Sequence, residues 1–206
     1  MSKFFVITLC LLASGPAWSA ESQTALSIVE QKCHLCHGME GEASSAIYPR
    51  LAGQNPDYLA KQLLDFRDGR RISDIMSEMA KGLQDEEIQA LAGYFSAKPA
   101  LGHRVRDKAL AAVGYYIFTK GNGFSGIPSC ASCHGQDGLG TNQLPRLAGQ
   151  HKRYVADQLQ AFNQRARTND NAIMHTIASK LTELEIAAVA LYVSGLQPEQ
   201  QPAAVQ

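Results

Sequence analysis

The feature that most constrains this 206-residue chain is that its sequence repeats. Residues 33–38 read CHLCHG and residues 130–135 read CASCHG, while residues 49–54 and 145–150 both read PRLAGQ. Equivalent positions stay 96 to 98 residues apart along the chain, an agreement that excludes chance. This period is too long for a solenoid repeat and matches the length of a small domain. The sequence therefore predicts two homologous domains in tandem.

Each half is predicted to be helical, so the fold class is all-α. Apolar residues recur at helical spacing, and no run of strict apolar–polar alternation predicts a sheet. The helix at 107–119 is expected to bury a stripe of Leu110, Val113, Ile117 and Phe118. The other predicted helices are 25–32, 57–66, 85–95, 153–162 and 183–193.

A boundary between the domains is predicted near residues 98–102, where Pro99 and Gly102 interrupt the helical pattern. We expect the first domain to span residues 21–98 and the second residues 99–196. Residues 197–206 are polar and contain proline, so we expect a disordered C-terminal tail.

The first twenty residues resemble a secretory signal peptide. Lys3 precedes an apolar run from residue 4 to about residue 13, and small residues follow. Cleavage is expected after Ser19 or after Ala20, which predicts an exported protein. Of the five cysteines, Cys10 lies in this segment, so the mature chain keeps only the four cysteines of the two repeated motifs.

The two Cys-X-X-Cys-His motifs predict two covalently attached haem c groups. Two thiols at this spacing can form thioethers with one edge of a porphyrin, and the following histidine can bind the iron. We therefore assign Cys33, Cys36 and His37 to one haem, and the same residue types of the second repeat to the other. That second set is Cys130, Cys133 and His134.

Three alternatives compete with haem attachment. A redox-active Cys-X-X-Cys normally follows a strand and opens a helix, a context that this sequence lacks. A four-cysteine zinc site would need both pairs to converge on one ion, although they lie in separate repeats. A pair of disulfides is the third alternative. Two motifs that are both followed by histidine, in one repeat and behind a signal peptide, favour haem.

A methionine in each half is predicted as the second axial ligand of the iron, which would close the iron to other ligands. Met174 is the only methionine of the second half, and repeat alignment selects Met76 in the first. Met79 is the rival in that half; it aligns with Ile177, so we expect it to pack in the core. His34 and His175 lie near these motifs but are not expected to bind iron.

The repeated PRLAGQ segments are predicted to surround the haem sites. A ligating histidine needs an acceptor for its other ring nitrogen, and the carbonyls of Pro49 and Pro145 are the candidates. Tyr58 and Tyr154 are expected to be core aromatics. The remaining polar residues of these segments are expected to bind haem propionates: Arg50, Arg146, Gln54 and Gln150.

The charge balance argues against a nucleic-acid-binding protein, since the chain has 19 basic and 19 acidic residues. The halves differ, however. Residues 21–98 hold 8 basic and 12 acidic side chains, whereas residues 99–206 hold 10 and 7. This asymmetry predicts a dipolar molecule that orients as it approaches charged partners.

These motifs and their spacing resemble the di-haem cytochrome c4 family, and the resemblance covers nearly the whole mature chain. It implies a tandem pair of class I cytochrome c domains, each with one His–Met haem, related by a pseudo-twofold. It also implies a periplasmic protein, soluble or loosely attached to the membrane, that passes single electrons between respiratory partners, typically toward a terminal oxidase. One departure is that residues 66–76 are two positions shorter than the equivalent residues 162–174.

The resemblance leaves two other functions to weigh against an electron carrier. The chain could be the haem subunit of a larger oxidoreductase, such as a sulfide-oxidising flavocytochrome. A di-haem peroxidase is less compatible, because such chains are longer and need an open or displaceable iron ligand. The matched Met76 and Met174 favour the carrier, which is not an enzyme.

Overall fold

A computed structural model describes residues 20–197. The predicted signal peptide, apart from Ala20, and the predicted tail, apart from Gln197, lie outside this range. The described part is helical and contains no β-strand, only an isolated bridge between Asn122 and Ile127, so the all-α prediction is confirmed. Its helices are α1 Ala20–Ile28, α2 His34–His37, α3 Pro56–Arg67, α4 Asp74–Ala80, α5 Asp85–Ser96, α6 Lys108–Lys120, α7 Ala131–His134, α8 Lys152–Asn163, α9 Ile173–Ala178 and α10 Glu183–Gly195.

Helices α1–α5 and α6–α10 form two equivalent sets, one per repeat. A π-helical turn, Val29–Cys33, joins α1 to α2. Helices α1 and α3 pack on α5, while α6 and α8 pack on α10. Each set encloses its own apolar core: Ile88, Leu91 and Phe95 of α5 lie in one, and the buried face of α10 lies in the other.

Local hydrogen bonds fix where the longer helices begin. Helix α10 starts with a capping box, in which the Thr182 hydroxyl and the Glu185 carboxylate each accept from the other residue's backbone N–H. Helix α5 has the same arrangement between Gln84 and Glu87. Because α5 and α10 carry most of each core, these caps set the register of the helix on which the others pack.

The predicted apolar stripe of α6 is wrong at one position. Val113 is 43% exposed, and the neighbouring Gly114 faces α10 instead. A Cβ atom on Gly114 would lie only 2.1 Å from the carbonyl oxygen of Ala188. The two helices therefore approach more closely than any side chain at this position would allow, a packing that hydrophobic periodicity does not register.

The two halves meet through their PRLAGQ segments in a reciprocal exchange. The Gln54 side-chain amide donates to the Arg146 carbonyl at 2.9 Å and accepts from the Arg146 N–H at 2.7 Å. Gln150 makes the same pair of bonds with Arg50, at 2.9 and 2.8 Å. Such reciprocity is the mark of an approximate twofold relation. Gln54 and Gln150 thus join the two halves while also lining a cavity, and a propionate role for them stays a prediction.

We predict opposite effects for two glycine-to-alanine substitutions in helices. Gly114→Ala should lower the free energy of unfolding by about 1–3 kcal/mol, because its methyl group has no room against α10. Gly93→Ala in α5 is the matched control, since nothing lies within 4 Å of a Cβ atom there. It should stabilise the protein by up to about 1 kcal/mol through helix propensity. Urea denaturation measures both, and equal effects would contradict the packing described here.

Candidate functional site

A continuous cavity crosses both halves and brings the two Cys-X-X-Cys-His motifs to its walls. The cavity has a volume of about 240 Å³. Cys33, His37 and Met76 line it from the first half. Cys130, His134 and Met174 do so from the second, and apolar side chains such as Leu59, Leu63, Phe66, Val155, Leu159 and Phe162 fill much of the remaining wall.

Both predicted proximal histidines are buried and held by the same hydrogen bond. His37 is 6% exposed and its Nδ1 donates to the Pro49 carbonyl at 2.9 Å. His134 is 8% exposed and donates to the Pro145 carbonyl at 3.2 Å, so the predicted role of both prolines is confirmed. Burial lowers the pKa of each imidazole, although the bond to the proline carbonyl opposes this shift. Each ring is therefore neutral, with Nε2 free to bind a metal.

The two methionines reach the cavity from short helices with different N-termini. The Met76 N–H donates to the Ser73 hydroxyl at 3.2 Å, which caps α4. The Met174 N–H donates to an Asp170 carboxylate oxygen at 2.6 Å. Asn171 and Ala172, just before α9, both have left-handed backbone conformations, with φ of 54° and 64°. The longer loop of the second repeat is thus accommodated by this turn, and both methionines still line the cavity.

Met79, the alternative ligand of the first half, is not part of the cavity wall. It is 41% exposed, so the prediction that it packs in the core is wrong. Met76, by contrast, packs against the first core and faces the cavity. Position, and not only repeat alignment, therefore favours Met76 over Met79.

The two extra histidines near the motifs already have other partners. His34 Nδ1 donates to the Val29 carbonyl at 3.2 Å. His175 Nδ1 donates to the Phe162 carbonyl at 2.9 Å, while its Nε2 accepts from Arg165 at 3.2 Å. Neither histidine lines the cavity, and that they do not bind iron stays a prediction.

The cysteine geometry does not suit the non-haem alternatives. Cys33, Cys36, Cys130 and Cys133 form no disulfide with one another. Burial raises the pKa of Cys33 and of Cys130 to about 11, whereas a redox-active thiol needs a lowered pKa. Within residues 20–197, no three His, Cys, Asp or Glu side chains converge as a zinc cluster requires. Cys33 and Cys130 beside an apolar cavity, with a histidine and a methionine on its walls in each half, do fit covalent haem.

Tyr58 and Tyr154 are not the purely apolar core residues that the sequence predicted. Both are half-buried, and each hydroxyl accepts a hydrogen bond from an arginine of the other half. Arg167 Nη2 donates to Tyr58 and Arg71 Nη2 donates to Tyr154, both at 3.1 Å. Sequence reasoning missed these arginines. They could have been found from the repeat, because Arg71 lies five residues after Phe66 and Arg167 lies five residues after the matching Phe162.

The arginines of the PRLAGQ segments contact carbonyl groups at the junction. The Arg50 guanidinium donates to the carbonyls of Glu42, Leu101 and Gly149. Arg146 Nε donates to the Ala148 carbonyl at 3.1 Å. Both side chains also border the cavity. The Arg50 side chain therefore bonds across the junction, whereas that of Arg146 bonds within its own half, and a propionate role for both stays a prediction.

A histidine pair also lies at the junction and was missed. His151 is 5% exposed and its Nε2 donates to the Ala43 carbonyl of the first half at 2.7 Å. The His103 ring lies 4.8 Å from the His151 ring. Burial, followed by the charges of Arg50 and His151, lowers the pKa of His103 to about 4. His151 and Asn55 are the polar residues that directly follow the two PRLAGQ segments. Asn55 also bonds across the junction, to the Leu139 carbonyl, so this shared position was the sequence signal for a junction contact.

The comparisons with known proteins agree with this geometry. A family profile described as "Cytochrome c" matches residues 111–197, and one described as "Cytochrome C oxidase, cbb3-type, subunit III" matches residues 20–95. The cytochrome c4 of Pseudomonas aeruginosa is 38% identical over 95% of this chain and 100% of its own length. The crystal structure of reduced recombinant cytochrome c4 from Pseudomonas stutzeri has a TM-score of 0.81 at 34% identity, over 85% of this chain and 98% of that one. The cytochrome subunit of sulfide dehydrogenase from Chlorobaculum tepidum is 39% identical over 40% of this chain and 74% of its own length.

Two cytochrome c domains in one chain define a di-haem c-type cytochrome, an electron carrier and not an enzyme. Its cofactors are two covalently attached haem c groups. The similarity extends over almost the whole chain, and on that basis the chain belongs to the cytochrome c4 family.

We predict that the folded protein loses stability as the pH falls from about 6.5 toward 4. The pKa of His103 is about 4 when folded and near 6.5 in an unfolded chain. The unfolded chain therefore binds the proton first, and the stabilisation, complete above about pH 6.5, declines as acid is added. His103→Phe should flatten this dependence, measured as the free energy of urea unfolding across a pH series. His34→Phe, outside the junction, is the control; if it flattens the profile equally, the assignment to His103 is wrong.

Proposed function

We propose that this chain carries single electrons between respiratory redox partners in the periplasm, toward a terminal oxidase. The observation that supports this most directly is the matched pair of sites. Each half presents a buried histidine, tied at Nδ1 to a proline carbonyl, and a methionine to the same apolar cavity. Two protein ligands for one iron leave no position for a substrate, as a carrier requires.

The proposed ligand set assigns one haem to each half. His37 and Met76 bind the iron of the first haem, and His134 and Met174 that of the second. Cys33 and Cys36 form the thioethers in the first half, and Cys130 and Cys133 form those of the second. Bound haem supplies a one-electron iron couple whose potential rises with methionine ligation.

The surrounding residues support this task without acid–base chemistry. The proline carbonyls fix the tautomer and orientation of each imidazole. The apolar walls exclude water, which keeps the local dielectric low and favours the less charged, reduced state. Electron transfer then needs only close approach of a partner, with no general acid, general base or nucleophile.

The proposed location and partners rest on the N-terminal segment and on charge. Residues 1–20 resemble a signal peptide, and no helix within residues 20–197 is long and apolar enough to cross a membrane. The first half is acidic and the second basic. A molecule with such a dipole can meet membrane-bound respiratory complexes in a preferred orientation.

A second candidate is the haem subunit of a larger oxidoreductase. The relative from Chlorobaculum tepidum is named as such a subunit, and it matches part of this chain. Affinity purification of the exported protein at low ionic strength separates the two functions. A carrier should elute alone, whereas a subunit should retain a second chain in equal amount through gel filtration.

We predict that replacing Met76 or Met174 by alanine opens one iron to carbon monoxide and lowers its potential. The loss of a thioether ligand removes both the sixth bond and its stabilisation of reduced iron. Optical spectra of the reduced protein with and without carbon monoxide, together with a potentiometric titration, measure both effects. The wild type should not respond to the gas.

Met79→Ala is the matched control for this test, since it removes a methionine from the same helix but not from the cavity wall. It should retain two closed, low-spin haems. Carbon monoxide binding to this control, or unchanged potentials in both Met76→Ala and Met174→Ala, would contradict the proposed ligands.

A further inference from the structure

A loop separates helix α6 from the second Cys-X-X-Cys-His motif, and the described part of the first half has no equivalent. Helix α6 ends at Lys120 and the motif begins at Cys130, so residues 121–129 lie between them. In the first half, the π-helical turn Val29–Cys33 leads directly from α1 into the motif. The two halves, equivalent in their helices, therefore differ at the entrance to the motif.

The base of this loop is closed and anchored to the core. The Asn122 N–H donates to the Ile127 carbonyl at 2.8 Å, and the Ile127 N–H donates to the Asn122 carbonyl at 2.9 Å. Gly121 has a left-handed backbone, with φ of 74°, and a Cβ atom there would lie 2.2 Å from the Ile127 carbonyl oxygen. Ile127 itself is buried in the second core. The chain therefore leaves and re-enters the domain at fixed points.

Side-chain bonds also fix the exposed part of the loop. The Lys180 ammonium donates to the Gly126 carbonyl at 3.0 Å. The Asn122 side-chain amide donates to the Glu185 carboxylate at 2.8 Å, and its oxygen accepts from the Phe124 N–H at 3.0 Å. Both Lys180 and Glu185 belong to the segment that opens helix α10. The loop is thus a preformed projection on this side of the second half.

This preformed loop holds one apolar side chain out in solvent. Phe124 is fully exposed, and Leu184, which precedes Glu185 on α10, is 63% exposed. A single exposed apolar residue is ordinary on a protein surface. One that is carried on an already ordered loop, however, can be buried by a partner without the entropic cost of ordering that loop. Burial of a phenylalanine strengthens an association by about tenfold or more.

The exposed charges that flank the loop are mainly positive. Lys120 at the end of α6 and Lys180 are both exposed, whereas Glu183 is the exposed carboxylate at the start of α10. Glu185 is only 9% exposed, so its charge is largely covered. The second half as a whole also has more basic than acidic side chains. An aromatic side chain between exposed lysines matches a protein surface with an apolar recess bordered by carboxylates.

We propose that the loop of residues 121–129 is the docking element for an acidic redox protein, with Phe124 as its apolar anchor. The loop runs directly into Cys130, so a partner bound there lies beside the second haem site and not beside the first. The acidic first half lacks this loop, so a partner of this kind docks on the second half. The inference rests on the proposed carrier function and names the kind of partner that the second half meets.

The test measures adsorption of the haem-loaded protein to gold electrodes that imitate such a partner. One electrode carries a mixed monolayer of carboxylate-terminated and methyl-terminated alkanethiols, and the other carries carboxylate-terminated alkanethiols alone. The charge under the voltammetric wave, followed against protein concentration, gives the half-saturation concentration on each surface. Phe124→Ser should raise this concentration about tenfold on the mixed monolayer. It should change little on the carboxylate monolayer, which offers no apolar contact.

Three further variants make the result specific. Phe124→Leu keeps an apolar side chain and should adsorb almost as tightly as the wild type. Lys120→Gln should weaken adsorption on both electrodes, most strongly at low ionic strength. Ile72→Ser is the matched control, because it removes an 80% exposed apolar side chain from the first half, and it should adsorb as the wild type does. Since Phe124 is fully exposed, Phe124→Ser should fold and attach both haems normally.

Two results would overturn the proposal. One is a Phe124→Ser protein that adsorbs to the mixed monolayer as tightly as the wild type, or no more weakly than Ile72→Ser. The other is binding to vesicles of phosphatidylglycerol and phosphatidylethanolamine that requires Phe124, because the occupant would then be a lipid surface and not a protein. Optical spectra with carbon monoxide test the carrier function separately, so the docking loop can fail while the carrier function stands.

Discussion

The hydrogen bond from a buried histidine to a proline carbonyl is the interaction on which the rest of this structure depends. Proline has a fixed φ angle and no backbone N–H. Its carbonyl is therefore held in one direction, toward the imidazole. The next residue, Arg50 or Arg146, gives its N–H and carbonyl to a glutamine of the other half. One short segment therefore orients the histidine inside its own half and joins the two halves together.

The same segment is also anchored to the core beneath it. The Gly53 N–H donates to the Phe95 carbonyl at 3.0 Å, and the Gly149 N–H donates to the Val193 carbonyl at 2.9 Å. Both acceptors lie at the ends of the helices that carry each core. A shift of either terminal helix would thus move the proline carbonyl, the histidine and the junction together. Each PRLAGQ segment therefore contacts the core helix, the buried histidine and the other half of the chain at the same time.

Sequence reasoning succeeded where the signal was local and missed what depends on the relation between the halves. Helical periodicity predicted the long helices, and the chemistry of a ligating histidine predicted the carbonyls of Pro49 and Pro145. The crossed contacts of Gln54 and Tyr58 could not be predicted in this way, because their partners lie in the other repeat. Gly114 was missed for a related reason: periodicity weighs apolar side chains, whereas this helix contact requires that there be none.

The duplication gives two equivalent sites, but their surroundings are not identical. Met76 follows a hydroxyl cap, whereas Met174 follows a carboxylate cap and a left-handed turn. The acceptor of the Met174 N–H is a carboxylate and that of the Met76 N–H is a neutral hydroxyl, and the His103 and His151 pair has no equivalent at Asn55. Since an iron couple responds to nearby charge and to solvent access, we expect two haems with the same ligands in these different surroundings to have unequal potentials. A difference of this kind sets a preferred direction for electrons between the two domains, from the haem of lower potential to the haem of higher potential.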